Sequence, residues 1–216
     1  MIMPVKELMG SIGRKIKFFS FYLLAGMSKI IYSFYVVTIE PRTIIINPKY
    51  HPRKIPADFN AIYVFWHANL FMIMPICRNS RVAVLTLLDW KNFFYDKLCK
   101  VFGYHTIPLT NYVSAGRKLK EMVSDGFSAG LAVDGPRGPA GFVRNGAAYF
   151  SEKTKRPIIT IDVKLNRSFR LCKRWDKLKI PLPFSRAILT FGEPIYPDGR
   201  SIKELSDMLK IKLGDF

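Results

Sequence analysis

The chain has 216 residues, 49% of them hydrophobic and 14% aromatic, with 34 Lys and Arg against 16 Asp and Glu for a formal charge of +18. That length supports one sizeable core, and the charge directs the molecule towards polyanions such as nucleic acid, an anionic lipid surface or phosphorylated small molecules. So much apolar and aromatic content is unlike a small nucleic-acid module, and the scattered Cys77, Cys99 and Cys172 form neither a disulfide framework nor a zinc-binding CxxC pair.

The first predicted element is the apolar run from Phe18 to Ile39, which follows a stretch containing Lys6, Arg14, Lys15 and Lys17. About 20 apolar residues suffice to span a bilayer, but Lys29 would then lie mid-span at a cost of roughly 2.5 to 3.5 kcal/mol. A secretory signal lacks an A-x-A-like cleavage site here, and a buried first helix of the folded domain is the plainest alternative. The favoured expectation is a helix lying in the membrane interface, with aromatic rings at headgroup depth and Lys29 snorkelling. Residues 1–42 are thus read as a membrane-associating segment and 43–216 as the main domain, on the cytosolic side.

Beyond it, Thr43 to Pro48 reads as β-rich and Tyr50 to Asp58, with its prolines and charges, as a connecting loop. A regular alternation then begins. Ala61 to Trp66 suits a buried strand, Asn69 to Cys77 a helix, Val82 to Leu88 a strand, Asn92 to Val101 a helix and Tyr104 to Pro108 a strand. Ser114 is a candidate cap for a helix running to Ser124, whose Leu119, Met122 and Val123 form the apolar face. Ala129 to Val133, Pro157 to Val163 and Ala187 to Phe191 complete the strands, with helices at Gly146 to Lys153 and Ser201 to Leu213. This alternation predicts an α/β fold, a mostly parallel or mixed sheet flanked by helices.

Functional residues in such a sheet collect past the carboxyl ends of strands. His67 follows the AIYVFW run, and Asp134 opens the segment DGPRGPAG. In that segment Gly135, Gly138 and Gly141 admit backbone conformations closed to other residues, while Pro136 and Pro139 fix φ. Arg137 therefore projects from a stiff turn and can grip a phosphate through paired hydrogen bonds, unless the turn is an ordinary surface one. Asp134, Gly135, Arg137, Gly138 and, a few residues on, Arg144 are the candidate substrate-binding set.

His67 is a candidate general base, although a lone histidine at a strand end is often structural. A carboxylate on its second nitrogen would fix the tautomer. Asp89, after the next strand, is the first choice for that role and a helix N-cap the alternative for it; Asp96 is read as a mid-helix surface charge. From Lys164 to Arg186 eight Lys or Arg face one acid, Asp176, among Phe169, Leu171, Trp175, Leu178 and Phe184. That stretch is either a solvated cationic loop or a seat for an anionic amphiphile.

Taken in order, FWHANLFMIMP, VAVLTLLD, AVDGPRGPAG and IPLPFSRAILTFGEPI resemble the bacterial lysophospholipid acyltransferase-like family, over about Ala61 to Pro197. The resemblance implies a glycerolipid acyltransferase-like fold, His67 as base, and Gly135 and Arg137 on the acceptor's phosphate. It also implies an acyl thioester donor, on acyl carrier protein or CoA, with no metal and no prosthetic group. The expected partners are a membrane lipid acceptor, that donor and an anionic membrane surface, with no nucleic acid. The expected reaction is acylation of a phosphorylated lipid at the cytoplasmic face of the inner membrane. A lipid A precursor is the first choice of acceptor and lysophosphatidate the alternative; a non-catalytic basic protein that binds membrane or nucleic acid is the rival from another class. In the wider superfamily an Asp stands five residues after the His, where this chain has Met72.

Overall fold

The computed structural model describes residues 37–87 and 93–214, with Gly26, Ile30 and Ser33 as isolated helical positions before them. Most of the Phe18 to Ile39 run, and Asp89, lie outside the described residues. Among the described residues no helix is long and apolar enough to cross a membrane.

The central apolar runs, Ile62–Phe65 and the start of Ile158–Leu165, form strands because their β-branched and aromatic residues are buried on both faces. In chain order the elements are β1 (Thr43–Ile46), β2 (Ile62–Phe65), α1 (Leu70–Ile76), β3 (Val82–Thr86), α2 (Phe93–Val101), β4 (His105–Pro108), α3 (Tyr112–Ser124), β5 (Ser128–Ala132), α4 (Gly146–Thr154), β6 (Ile158–Leu165), β7 (Ser168–Arg170), β8 (Lys179–Pro181), β9 (Ala187–Phe191) and α5 (Ile202–Leu213). Seven strands make one sheet in the order β1-β9-β6-β2-β5-β3-β4. All its pairings are parallel except β6 with β9, so the predicted mostly parallel or mixed sheet is observed.

The period of two in β2 divides the core. Tyr63 and Phe65 face α1 and α2 together with Ile159, Ile161 and Phe191. Ile62 and Val64 face α3, α4 and α5 with Ala83, Ala129 and Ile158. Ile39, at the described end of the N-terminal segment, is packed into the first of these clusters. Full burial of a side chain the size of Phe191 is worth roughly 1.5 to 3 kcal/mol, which is why a slip of one residue in β2 or β9 is strongly disfavoured.

Three local expectations are corrected. The α3 helix is capped by Asn111, not Ser114: the Asn111 side chain accepts from the Val113 and Ser114 amides, which starts the helix at Tyr112. Asp96 is no surface charge, being 4% exposed and bonded to Thr86 Oγ1 and Lys100 Nζ at 3.0 and 2.9 Å. The stretch after β6 is not a plain loop, because β7 and β8 pair antiparallel as a separate two-stranded hairpin. The C-terminal helix opens on a capping box, Ser201 with Glu204 as its second member.

Candidate active site

The parallel pairing of β2 with β5 brings Phe65 opposite Ala132, so the residues just beyond both strands emerge side by side. After Trp66 the chain turns through a short 3-10 segment, His67–Asn69, into α1. The carboxylate of Asp134, which has no exposed surface, ties this turn to the DGPRGP loop: its Oδ1 accepts from the His67 backbone N–H at 3.1 Å. Predicted as a substrate contact, Asp134 is closed to solvent and touches the histidine turn instead.

The carboxylate at His67 Nδ1 comes from a residue that sequence reasoning did not put forward for that role. Asp176 Oδ2 lies 3.0 Å from that nitrogen, and Asp176 is fully buried. The ring N–H is not aimed straight at the oxygen, since this contact has hydrogen-bonding length without hydrogen-bonding alignment. Arg174 grips the same carboxylate in a two-pronged contact, Nε to Oδ1 at 3.0 Å and Nη2 to Oδ2 at 2.9 Å. Trp175, between them in sequence, lays its ring 5.0 Å from the His67 ring. All three belong to the loop of the β7–β8 hairpin.

The two carboxyls beside His67 are pushed in opposite directions. Burial pushes Asp134 up, with Asp176 nearby adding to the rise and the His67 N–H opposing it. Burial pushes Asp176 up as well, but the close His67 ring and the hydrogen bonds from Arg174 outweigh it and hold the group well below the usual carboxylate range. An ionised Asp176 favours the proton on Nδ1 and leaves the Nε2 lone pair available. With the His67 side chain 21% exposed, and Nε2 making no hydrogen bond to the described residues, a substrate hydroxyl can reach it.

The DGPRGP loop is braced from within. Arg144, predicted to bind substrate, donates from Nε to the Asp134 carbonyl at 3.3 Å and from Nη2 to the Gly138 carbonyl. Gly135 and Gly138 have φ of 70° and 68°, and the Gly138–Pro139 peptide is cis. Arg137, between these glycines, is exposed and makes no ion pair or hydrogen bond with the described residues. A side chain on Gly138 would put its Cβ 2.5 Å from Trp175 Cε3. The indole thus bridges the His67 ring to the residue next to Arg137, so the structure does bring the histidine and the arginine-bearing turn to one rim of the sheet. Gly138→Ala is expected to destabilise the protein by about 1 to 3 kcal/mol in a thermal melt, and to displace Trp175 from His67, because positive φ and a backbone-fixed Cβ act together.

No protein-family model matches the chain. An uncharacterized protein of Rickettsia prowazekii is 30% identical over 149 residues, 66% of this chain and 66% of that protein. The crystal structure of the 1-acyl-sn-glycerophosphate acyltransferase PlsC from Thermotoga maritima superposes over 93% of this chain and 79% of that one, with a TM-score of 0.57 at 18% identity. The chain shares the fold of that structure. Within this fold His67 and the glycine-rich turn stand at the carboxyl ends of the central strands β2 and β5, where open α/β sheets place their ligands. A motif search would not have found Asp176, because its partner lies far upstream. The signal it does leave is one acid among eight cations, beside Trp175 and two residues after Arg174.

Proposed function

We propose that the protein transfers a fatty acyl group from a thioester, on acyl carrier protein or CoA, to a hydroxyl of a phosphorylated lipid. The observation that carries this reading is a solvent-reachable histidine backed on its inner nitrogen by a buried, ionised carboxylate. Beside it lies an unpaired arginine on a glycine-rich turn.

In the reaction the lipid hydroxyl attacks the thioester carbonyl carbon while its proton passes to His67 Nε2. Asp176 holds the ring in the right tautomer and stabilises the imidazolium. The tetrahedral intermediate then expels the thiolate, which takes the proton back from Nε2, so that ester and thiol are the products. Arg137 clamps the acceptor's phosphate and so limits the approach of the hydroxyl to productive geometries. No acyl-enzyme, metal or prosthetic group is needed. A small apolar cavity of about 40 Å³, lined among others by Phe65, Leu70, Ile73, Met74 and Gly130, lies behind the histidine turn and offers the start of a path for the acyl chain.

The acceptor we favour is a lipid A precursor, with lysophosphatidate second. The support is charge: a bisphosphorylated glycolipid matches a chain of formal charge +18 better than a single phosphate does. The reaction is proposed to run at the cytoplasmic face of the inner membrane, a reading supported by the basic charge, which suits anionic headgroups. Purified protein given a labelled acyl thioester should label the lipid A precursor faster than lysophosphatidate. Labelling of lysophosphatidate alone would remove the first choice, and labelling of neither would remove the reaction.

A further inference from the structure

A second cavity, a polar one, opens at the same rim of the sheet and reaches Asn69, two residues past His67. Strand β6 pairs with β2 only over Ile158–Thr160 and then continues beside β9 as far as Leu165. Where β6 leaves β2, an open pocket of about 540 Å³ remains, lined by Asn69, the end of β6, the β7–β8 hairpin and the end of α5. Its cations are Lys164, Arg170, Lys179 and Lys212, against one acid, Asp162.

Two details show that this charge is concentrated beyond what folding alone asks for. Arg170 and Lys179 are direct cross-strand partners in the hairpin, and like charges so placed repel. Lys179 is half-buried, and burial followed by the nearby Arg170 pulls its ammonium down, with Asp162 opposing. An anion in the pocket would relieve both penalties. At the inner wall Asn69, 2% exposed and two residues past His67, has a side-chain oxygen without a hydrogen-bond partner among the described residues.

We propose that this pocket holds the phosphate end of the pantetheine arm of the acyl thioester. The inference rests on the acyl-transfer reading above. A two-substrate reaction at one histidine needs a seat on each side of it. The turn after β5 occupies one side, and the pocket at the end of β6 occupies the other, with Asn69 adjoining the reaction centre. The hairpin serves both purposes, since its loop holds His67 through Asp176 and its base supplies Arg170 and Lys179.

The test is binding of coenzyme A, without acyl chain or acceptor, to wild type, to Arg170→Ala/Lys179→Met and to Arg137→Ala, each checked by its ligand-free melting temperature. CoA should bind and stabilise wild type and Arg137→Ala alike, and binding to the pocket variant should weaken by roughly tenfold or more per lost cation. In turnover the KM for the thioester should rise in the pocket variant while the KM for the acceptor stays. Holo acyl carrier protein run in parallel separates the sources, because tighter binding of either one, lost in the same variant, supports the proposal. Failure of wild type to bind either donor, or a variant that binds both normally and shows a raised acceptor KM, overturns it. If CoA binds in the pocket and no thioester is consumed with any acceptor, the reaction is wrong and the pocket assignment stands.

Discussion

His67→Ala is expected to reduce acyl transfer by about 10² to 10⁴-fold, the usual share of a positioned general base, while leaving folding and vesicle association intact. The ring is 21% exposed on its side-chain surface, so its removal opens no large core cavity. The Asp134 bond to this turn uses the His67 backbone N–H, which alanine retains. Charge-driven binding to anionic vesicles depends on the Lys and Arg surface and should fall with salt equally in wild type and variant. Full transfer by His67→Ala would show that the chemistry belongs elsewhere; loss of vesicle binding as well would point to a structural histidine.

Asp176→Asn should lower kcat by a comparable factor, because the amide can present either end to Nδ1 and no longer stabilises the imidazolium, a substitution that costs about 10⁴ in serine proteases. The KM for the acceptor should change little. Here stability changes too. The buried carboxylate accepts two hydrogen bonds from Arg174, and replacing it leaves that guanidinium imperfectly paired, for about 1 to 3 kcal/mol after allowing for the half-exposed arginine.

The pH response gives an independent check. Because Asp176 titrates lower in the folded protein than in the unfolded chain, its stabilisation is complete above the unfolded value of about 4. It is lost as pH falls through the folded value. Wild type should therefore lose melting temperature on acidification below about pH 4 more steeply than Asp176→Asn, measured by thermal melts across that range. Parallel curves would mean that Asp176 is not held ionised by its neighbours.

The layout of the sheet is legible in the sequence because it depends on local period and punctuation. Ile62 to Phe65 is a buried strand on its face, and Gly135, Arg137 and Gly138 announce a shaped turn without any knowledge of the rest. The partner of His67 is a different sort of fact. It depends on where a hairpin of two three-residue strands docks, and strands that short carry no alternation to read. Asp89 is the first choice from sequence because it ends the next predicted strand, and it lies outside the described residues. The Asn111 cap was missed for a smaller reason: Ser114 and Asn111 are both good caps, and only the extended backbone at Asn111, φ −141° and ψ 136°, separates them.

The imidazole and its anionic partner are contributed by distant stretches of chain, the second from an appendage outside the main sheet. As the polypeptide leaves the ribosome, the histidine and its glycine-rich neighbour emerge first, without the carboxylate that faces the ring. In the proposed reaction the imidazole is oriented only once the hairpin has folded over them. A nascent or truncated product that ends before Asp176 would therefore carry the recognisable motif and lack the group that aligns its base.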